Sequence, residues 1–253
     1  MADIPDDKPA QSWQSLQQFT AARIALGRAG VSIPVKQSLE FKMAHAHARD
    51  AVYSKLHFDE LVEAFKQFNL PVVHLHSKAG YREQYLQRPD LGRRLSEESC
   101  LHLSGYSAEN DIAIIIADGL SATAVNENII DLLILFLPLL KYANIKPAPI
   151  CLVEQGRVAI GDDIGSILKA KISLVLLGER PGLSAHDSLG AYLTYNPQPG
   201  LTDESRNCIS NIRPNGLNLE EAAAKMFYLV QQSLKRQLSG VQLKDDTRAG
   251  YFP

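Results

Sequence analysis

The side chains best suited to chemistry fall in three short stretches, each a polar turn with glycine that follows an apolar run. Asp118-Gly119 follows Asp111–Ala117, Glu154-Gln155-Gly156-Arg157-Val158 follows Ile150–Val153, and Gly178-Glu179-Arg180-Pro181-Gly182 follows Ile172–Leu177. Carboxylates and guanidinium groups at such turns suit polar ligands, and glycine lets backbone approach them closely. If the apolar runs are parallel strands, their carboxyl ends share one sheet edge. The three turns then meet in a crevice of the kind where open α/β sheets hold ligands. The plainer alternative is that every parallel sheet has such turns, and many only reverse the chain.

Other reactive residue types do not assemble into a catalytic constellation. His45 and His47 lie two apart on an expected helix and face different ways. His74 and His76 share one face of a short β-rich run, but no Cys or carboxylate stands near them in sequence to complete a ligand set. Cys208 lies in a polar stretch, Arg206–Asn211, without a His base in view, and reads as a packed or ligand-lining thiol. Ser121 follows Asp-Gly-Leu and lacks the nucleophile-elbow pattern. Gly27-Arg-Ala-Gly30 has the wrong spacing for a dinucleotide fingerprint, and no Walker loop occurs. No catalytic residue and no metal ligand is assigned.

The elements that must position the three turns read as β-α-β-α-β. Helical sequence links the first two runs as far as Tyr142, with a break expected at Pro138. A second helix spans Asp162–Ala170. Short connections of this kind imply a right-handed, parallel, Rossmann-like sheet with helices on both faces. Ser184–Asn196 and Asn207–Asn215 read as loops, and Leu219–Leu238 as a closing helix that Gly240 stops. The first hundred residues are mainly helical. Val35–Lys55 and Ser96–Leu103 fit helices, and Phe58, Leu61, Val62, Phe65 and Phe68 form one apolar stripe. Val72–His76 is the β-rich exception. The expected divisions are a loose terminus over 1–15, a helical region over 16–104 and an α/β domain over 105–253. Trp13 stands out in the terminus as an anchor for that tail.

Composition narrows the partners. A net charge of -2 offers no basic field for nucleic acid and no polybasic membrane patch. The longest apolar run, Ile129–Leu140, is interrupted by Asp131 and Pro138 and is too short to span a bilayer. Met1–Gln11 lacks the apolar core of a secretory signal. Three widely spaced cysteines fit a reducing compartment better than a disulfide framework. The arginines at 23, 28, 88, 93 and 94 read equally as solvated faces or, beside Tyr81, Tyr85 and Leu91, as part of a protein interface.

Seven segments occur in one order: Arg23–Gly30, Tyr85–Leu95, Ala117–Ser121, Gln155–Val158, Gly178–Gly182, Asp187–Tyr192 and Cys208–Ile212. Each alone is weak. Together, over about Thr20 to Lys244, the chain resembles the small (light) subunit of ethanolamine ammonia-lyase. The resemblance implies an adenosylcobalamin-dependent lyase that converts ethanolamine to acetaldehyde and ammonia through radicals. It implies a partner too, a large TIM-barrel subunit in a hetero-oligomer, with cobalamin held between the two chains. Residues 105–253 would then be the cobalamin-binding domain, and Val158, Glu179 and Cys208 match the family's cofactor contacts. No Asp-x-His-x-x-Gly occurs, so the cofactor's own base would stay on cobalt. The implied location is cytoplasmic, and family members are often enclosed in bacterial microcompartments. The competing reading of the same residues is a non-catalytic α/β nucleotide- or metabolite-binding protein.

Overall fold

The run Asn110–Ala117 (β2) accounts for the centre of the fold, because it is apolar at almost every position. Ile112, Ile114 and Ile116 enter one core cluster, while Ala113, Ile115 and Ala117 enter another on the opposite face. A strand buried on both sides needs helices on both sides. A computed structural model describes residues 13, 15–20 and 22–246. The remaining strands are β1 (Val72–His76), β3 (Ile150–Glu154), β4 (Ala170–Gly178), β5 (Leu189–Tyr195) and β6 (Arg206–Ile212). They form one six-stranded sheet in the order β1-β3-β2-β4-β5-β6. The first four in that order run parallel to their neighbours; β5 and β6 are antiparallel.

The α-helices are α1 (Val35–Tyr53), α2 (Phe58–Phe65), α3 (Arg82–Gln87), α4 (Glu97–Ser104), α5 (Ala122–Tyr142), α6 (Ile160–Ile167) and α7 (Leu219–Arg236). Leu61 and Phe65 of α2, Ile129, Leu133 and Phe136 of α5, and Met226 and Val230 of α7 cover the face of Ile112, Ile114 and Ile116. Leu103 of α4 and Ile160 and Ile164 of α6 cover the other. Each such side chain contributes about 1.5–3 kcal/mol by leaving water. By length and composition α5 is apolar enough to cross a membrane, and its inner face packs on the sheet.

Several expectations need correction. The sheet is mixed rather than parallel, because two segments expected to be loops are strands. In β5, six of seven residues are apolar or glycine, yet flanking polar residues masked the run; in β6, polar residues flank Cys208-Ile209 on both sides. Each pairs antiparallel with the strand just before it in the chain, a contact that local propensity does not report. Helix α5 continues through Pro138 without a break. Proline there frees the carbonyl of Ile134, and Ile134 is exposed, so water can satisfy it. Gln237, in the left-handed conformation at φ 54°, ends α7, three residues before Gly240. β1, which lies within the expected helical region, pairs in register with β3 and so belongs to the same sheet. The sequence of Ser15–Ile24 also suits a short helix, and the structure has a 3-10 helix over Ser15–Phe19. Trp13 is exposed. Apart from Trp13 and Ser15, the expected loose terminus lies outside the described residues.

Candidate functional site

The carboxyl ends of β2, β3 and β4 converge, and the tightest contact among them is backbone on backbone. Gly119 has φ +58°, and its added Cβ would overlap the carbonyl of Gly178. Leu120 N–H donates to that same carbonyl at 2.8 Å. Only glycine lets the β2 and β4 turns approach this closely. Asp118 ties in the third turn. One carboxylate oxygen accepts from Gln155 N–H at 3.0 Å and the other from Gly156 N–H at 3.1 Å. Burial pushes the Asp118 carboxyl up to about 6, although these amides and nearby Arg82 favour its charged form.

The three turns frame an open cavity of about 460 Å³. Leu120, Val158, Leu177 and the Tyr192 ring form its apolar wall, and Arg157, Glu179 and Arg180 are its charged side chains. Tyr85 of α3 reaches in from the N-terminal half. Its ring lies between two guanidinium groups, Arg82 at 4.8 Å and Arg157 at 4.5 Å. Its hydroxyl donates to Gly156 O at 3.1 Å. Burial first, and then the charge of Asp118, hold that phenol above its ordinary pKa. Arg157 donates through Nη2 to Tyr85 O at 3.1 Å, while its buried Nε has no hydrogen-bond partner.

Glu179 is gripped on one oxygen. Ser188 Oγ donates to Oε2 at 2.6 Å and Asn211 N–H donates to the same atom at 3.0 Å. Asn211 is itself left-handed, at φ 59°. Oε1 lies over Gly190, where an added Cβ would come within 3.1 Å of it, so Gly190 leaves room for the carboxylate. Val158 and Glu179 therefore meet in one cavity, as the convergence of turns predicts. Cys208 does not line that cavity. It is exposed and lies opposite Tyr192 in the β5–β6 register. Desolvation of the sulfur raises the thiol above its ordinary value, and the facing Tyr192 offsets part of that rise.

Sequence reasoning missed two contributors. Tyr85 carried no signal as a cavity residue, because its helix is distant in the chain. Tyr192 follows Gly190 at strand spacing, a cue that reading the segment as a loop concealed. His74, which has no carboxylate near it in sequence, gains one in the fold. Its Nε2 lies 2.6 Å from Glu154 Oε1, and Glu154 comes from the neighbouring strand. Among the described residues no group of three or more His, Cys, Asp or Glu is arranged to hold a metal ion.

The cavity lining contains no Ser, Cys or His, and so presents no nucleophile–base pair. An α/β body with an open recess at its sheet edge, walled by apolar groups and rimmed by charge, has the form of a ligand site rather than of a self-contained catalytic centre. Comparison with known proteins makes this particular: the chain belongs to the ethanolamine ammonia-lyase light chain (EutC) family, whose profile matches residues 10–244. It is 49% identical over 249 residues to the ethanolamine ammonia-lyase small subunit of Azotobacter vinelandii, covering 96% of this chain and 92% of that one. The corresponding protein of Xanthomonas campestris is 50% identical over 246 residues, covering 96% and 90%. That of Pseudomonas putida is 48% identical over 242 residues, covering 94% and 89%.

Proposed function

We propose that this chain is the small subunit of an adenosylcobalamin-dependent ethanolamine ammonia-lyase, and that its sheet edge clamps the cobalamin against a larger TIM-barrel subunit in a hetero-oligomer. The observation that carries the reading is the meeting of Val158 and Glu179, from turns after two different strands, in one open cavity whose wall includes Tyr192, the cross-strand neighbour of Cys208. These are the three positions that match the family's cofactor contacts.

The residues present fit such a group. A corrin is a broad apolar plate edged with amides, and it needs an apolar wall with a few polar atoms facing it. Leu120, Val158 and Leu177 offer the wall. Glu179 Oε1, with both donors on the other oxygen, is a spare acceptor. When bound, adenosylcobalamin supplies the radical chemistry that turns ethanolamine into acetaldehyde and ammonia. Glu179 would hold the cofactor's edge by accepting a hydrogen bond, with Ser188 and Asn211 fixing its orientation. Val158 and Leu177 exclude water from the face they cover. Tyr85, held between Arg82 and Arg157, keeps the β3 turn at its height above the sheet. Substrate binding and the groups around the reacting atoms belong to the larger chain. The reading places the complex in the cytoplasm.

The test is reconstitution. The purified chain with ethanolamine and adenosylcobalamin is expected to produce no acetaldehyde, and adding the cognate large subunit is expected to restore turnover. Turnover by the chain alone, or none after the partner is added, refutes the reading.

A further inference from the structure

The apolar stripe on α1 is the surface that the cavity does not account for. Val35, Leu39 and Met43 recur at i, i+4 and i+8 and are 73%, 59% and 58% exposed. Val31 and Ile33, just before the helix, are exposed as well. Ala51 is the one fully buried residue of α1. The helix therefore joins the body at its C-terminal end, and its first nine residues turn the stripe Val35, Leu39 and Met43 to solvent. A continuous apolar stripe of this kind marks a binding surface rather than a solvated helix face.

We infer that this stripe is a docking surface for the large subunit, on a helix whose other end is fixed beside the cavity. The inference rests on the functional reading above. Three contacts tie the C-terminal half of α1, beyond the stripe, to the surround of the cavity. Arg82 Nε donates to Val52 O in α1 at 2.7 Å, while its Nη1 donates to Gly119 O on the cavity wall at 2.8 Å. Thr123 N–H, in the first turn of α5, donates to Ser54 Oγ at the end of α1 at 2.9 Å. The His47 ring lies 5.6 Å from that of His186, in the connection between β4 and β5. A partner seated over the cavity therefore meets α1 next. It also needs the area, since a stable interface buries about 800 Å² on each side, more than the rim of a 460 Å³ recess provides. Arg28, Lys36 and Lys42 lie near the stripe in sequence against one carboxylate, Glu40, which Lys36 meets at 3.9 Å. The complementary surface is an apolar groove flanked by carboxylates.

The experiment compares complexes of the full chain with the cognate large subunit. Leu39→Glu/Met43→Glu changes two exposed side chains, and Tyr142→Glu, at the far end of α5, is the control. The double variant is expected to keep the circular dichroism and melting of the unaltered chain, and to raise the dissociation constant of the complex at least a hundredfold. Tyr142→Glu is expected to leave that constant unchanged within threefold. Assembly of the double variant within threefold of the unaltered chain overturns the inference and leaves the functional reading standing. Failure of the unaltered chain to bind the large subunit overturns both. If the chain alone dimerises, the double variant is monomeric and assembly with the large subunit is unaffected, the stripe belongs to a second copy and the inference is overturned.

Discussion

Replacing Glu179 by Gln separates its role in the fold from its role at the cavity. Two donors, Ser188 Oγ at 2.6 Å and Asn211 N–H at 3.0 Å, converge on Oε2. A hydrogen bond to a charged group contributes about 1.5–3 kcal/mol when shielded. Glu179 is only half-buried, so water replaces part of what Ala would lose, and Glu179→Ala should cost about 2 kcal/mol. At 2–4 °C per kcal/mol for a chain of this size, that is a fall in Tm of roughly 4–8 °C. The amide oxygen of Gln can accept from both donors, so Glu179→Gln should cost about 1 kcal/mol or less. At the cavity the order differs. The amide nitrogen of Gln replaces Oε1, and a donor then faces the donor of the bound cofactor. Both variants should therefore weaken adenosylcobalamin binding to the two-chain complex tenfold to a hundredfold, equivalent to about 1.4–2.8 kcal/mol. Calorimetric titration of the complex, alongside thermal melts of the chain, reads the two effects separately. Gln binding the cofactor within twofold of the unaltered protein would refute the cavity role and leave Glu179 as a structural residue.

Two further predictions concern the scaffold. Arg206 and Asp162 are each 3% exposed and paired through two bonds of 2.7 Å that join β6 to α6. Arg206→Met leaves a buried carboxylate unpaired and should cost about 3–5 kcal/mol in urea unfolding, whereas Arg206→Met/Asp162→Leu should recover much of the loss; a double variant no better than the single would exclude the pairing argument. Asp118 titrates upward on folding, from 3.8 to about 6, so the folded chain holds that proton more tightly than the unfolded one. Its contribution to stability is complete below about pH 3.8 and is lost as pH rises through 6, about 3 kcal/mol in all at 1.36 kcal/mol per tenfold change. Stability of the unaltered chain relative to Asp118→Asn should therefore fall between pH 4 and 7; a rising difference would show that the amides and Arg82 outweigh burial.

The parts of the site that could be read from the chain are those whose geometry is local. An apolar run followed by Gly-Glu-Arg-Pro-Gly specifies a buried strand and a polar turn, and three such units in a row specify where their ends meet. Val158 and Glu179 were legible for that reason. Cys208 was legible as a position but not as a neighbour. It neighbours the cavity wall only because β6 pairs antiparallel with β5, and β6 is held in part by the ion pair of Arg206 with a helix far back in the chain.

The amino-acid order by itself determined the strands at the centre, the helices that cover them and the glycines at the sheet edge, because burial and backbone freedom act over a few residues at a time. The tertiary structure alone decided that β1 and the β5–β6 pair complete the sheet, and that Tyr85 stands between two arginines. It also decided that Asp118 carries both the β3 turn and a raised pKa. Each of these depends on groups brought together from distant parts of the chain, whose desolvation and pairing energies do not exist until the fold has formed.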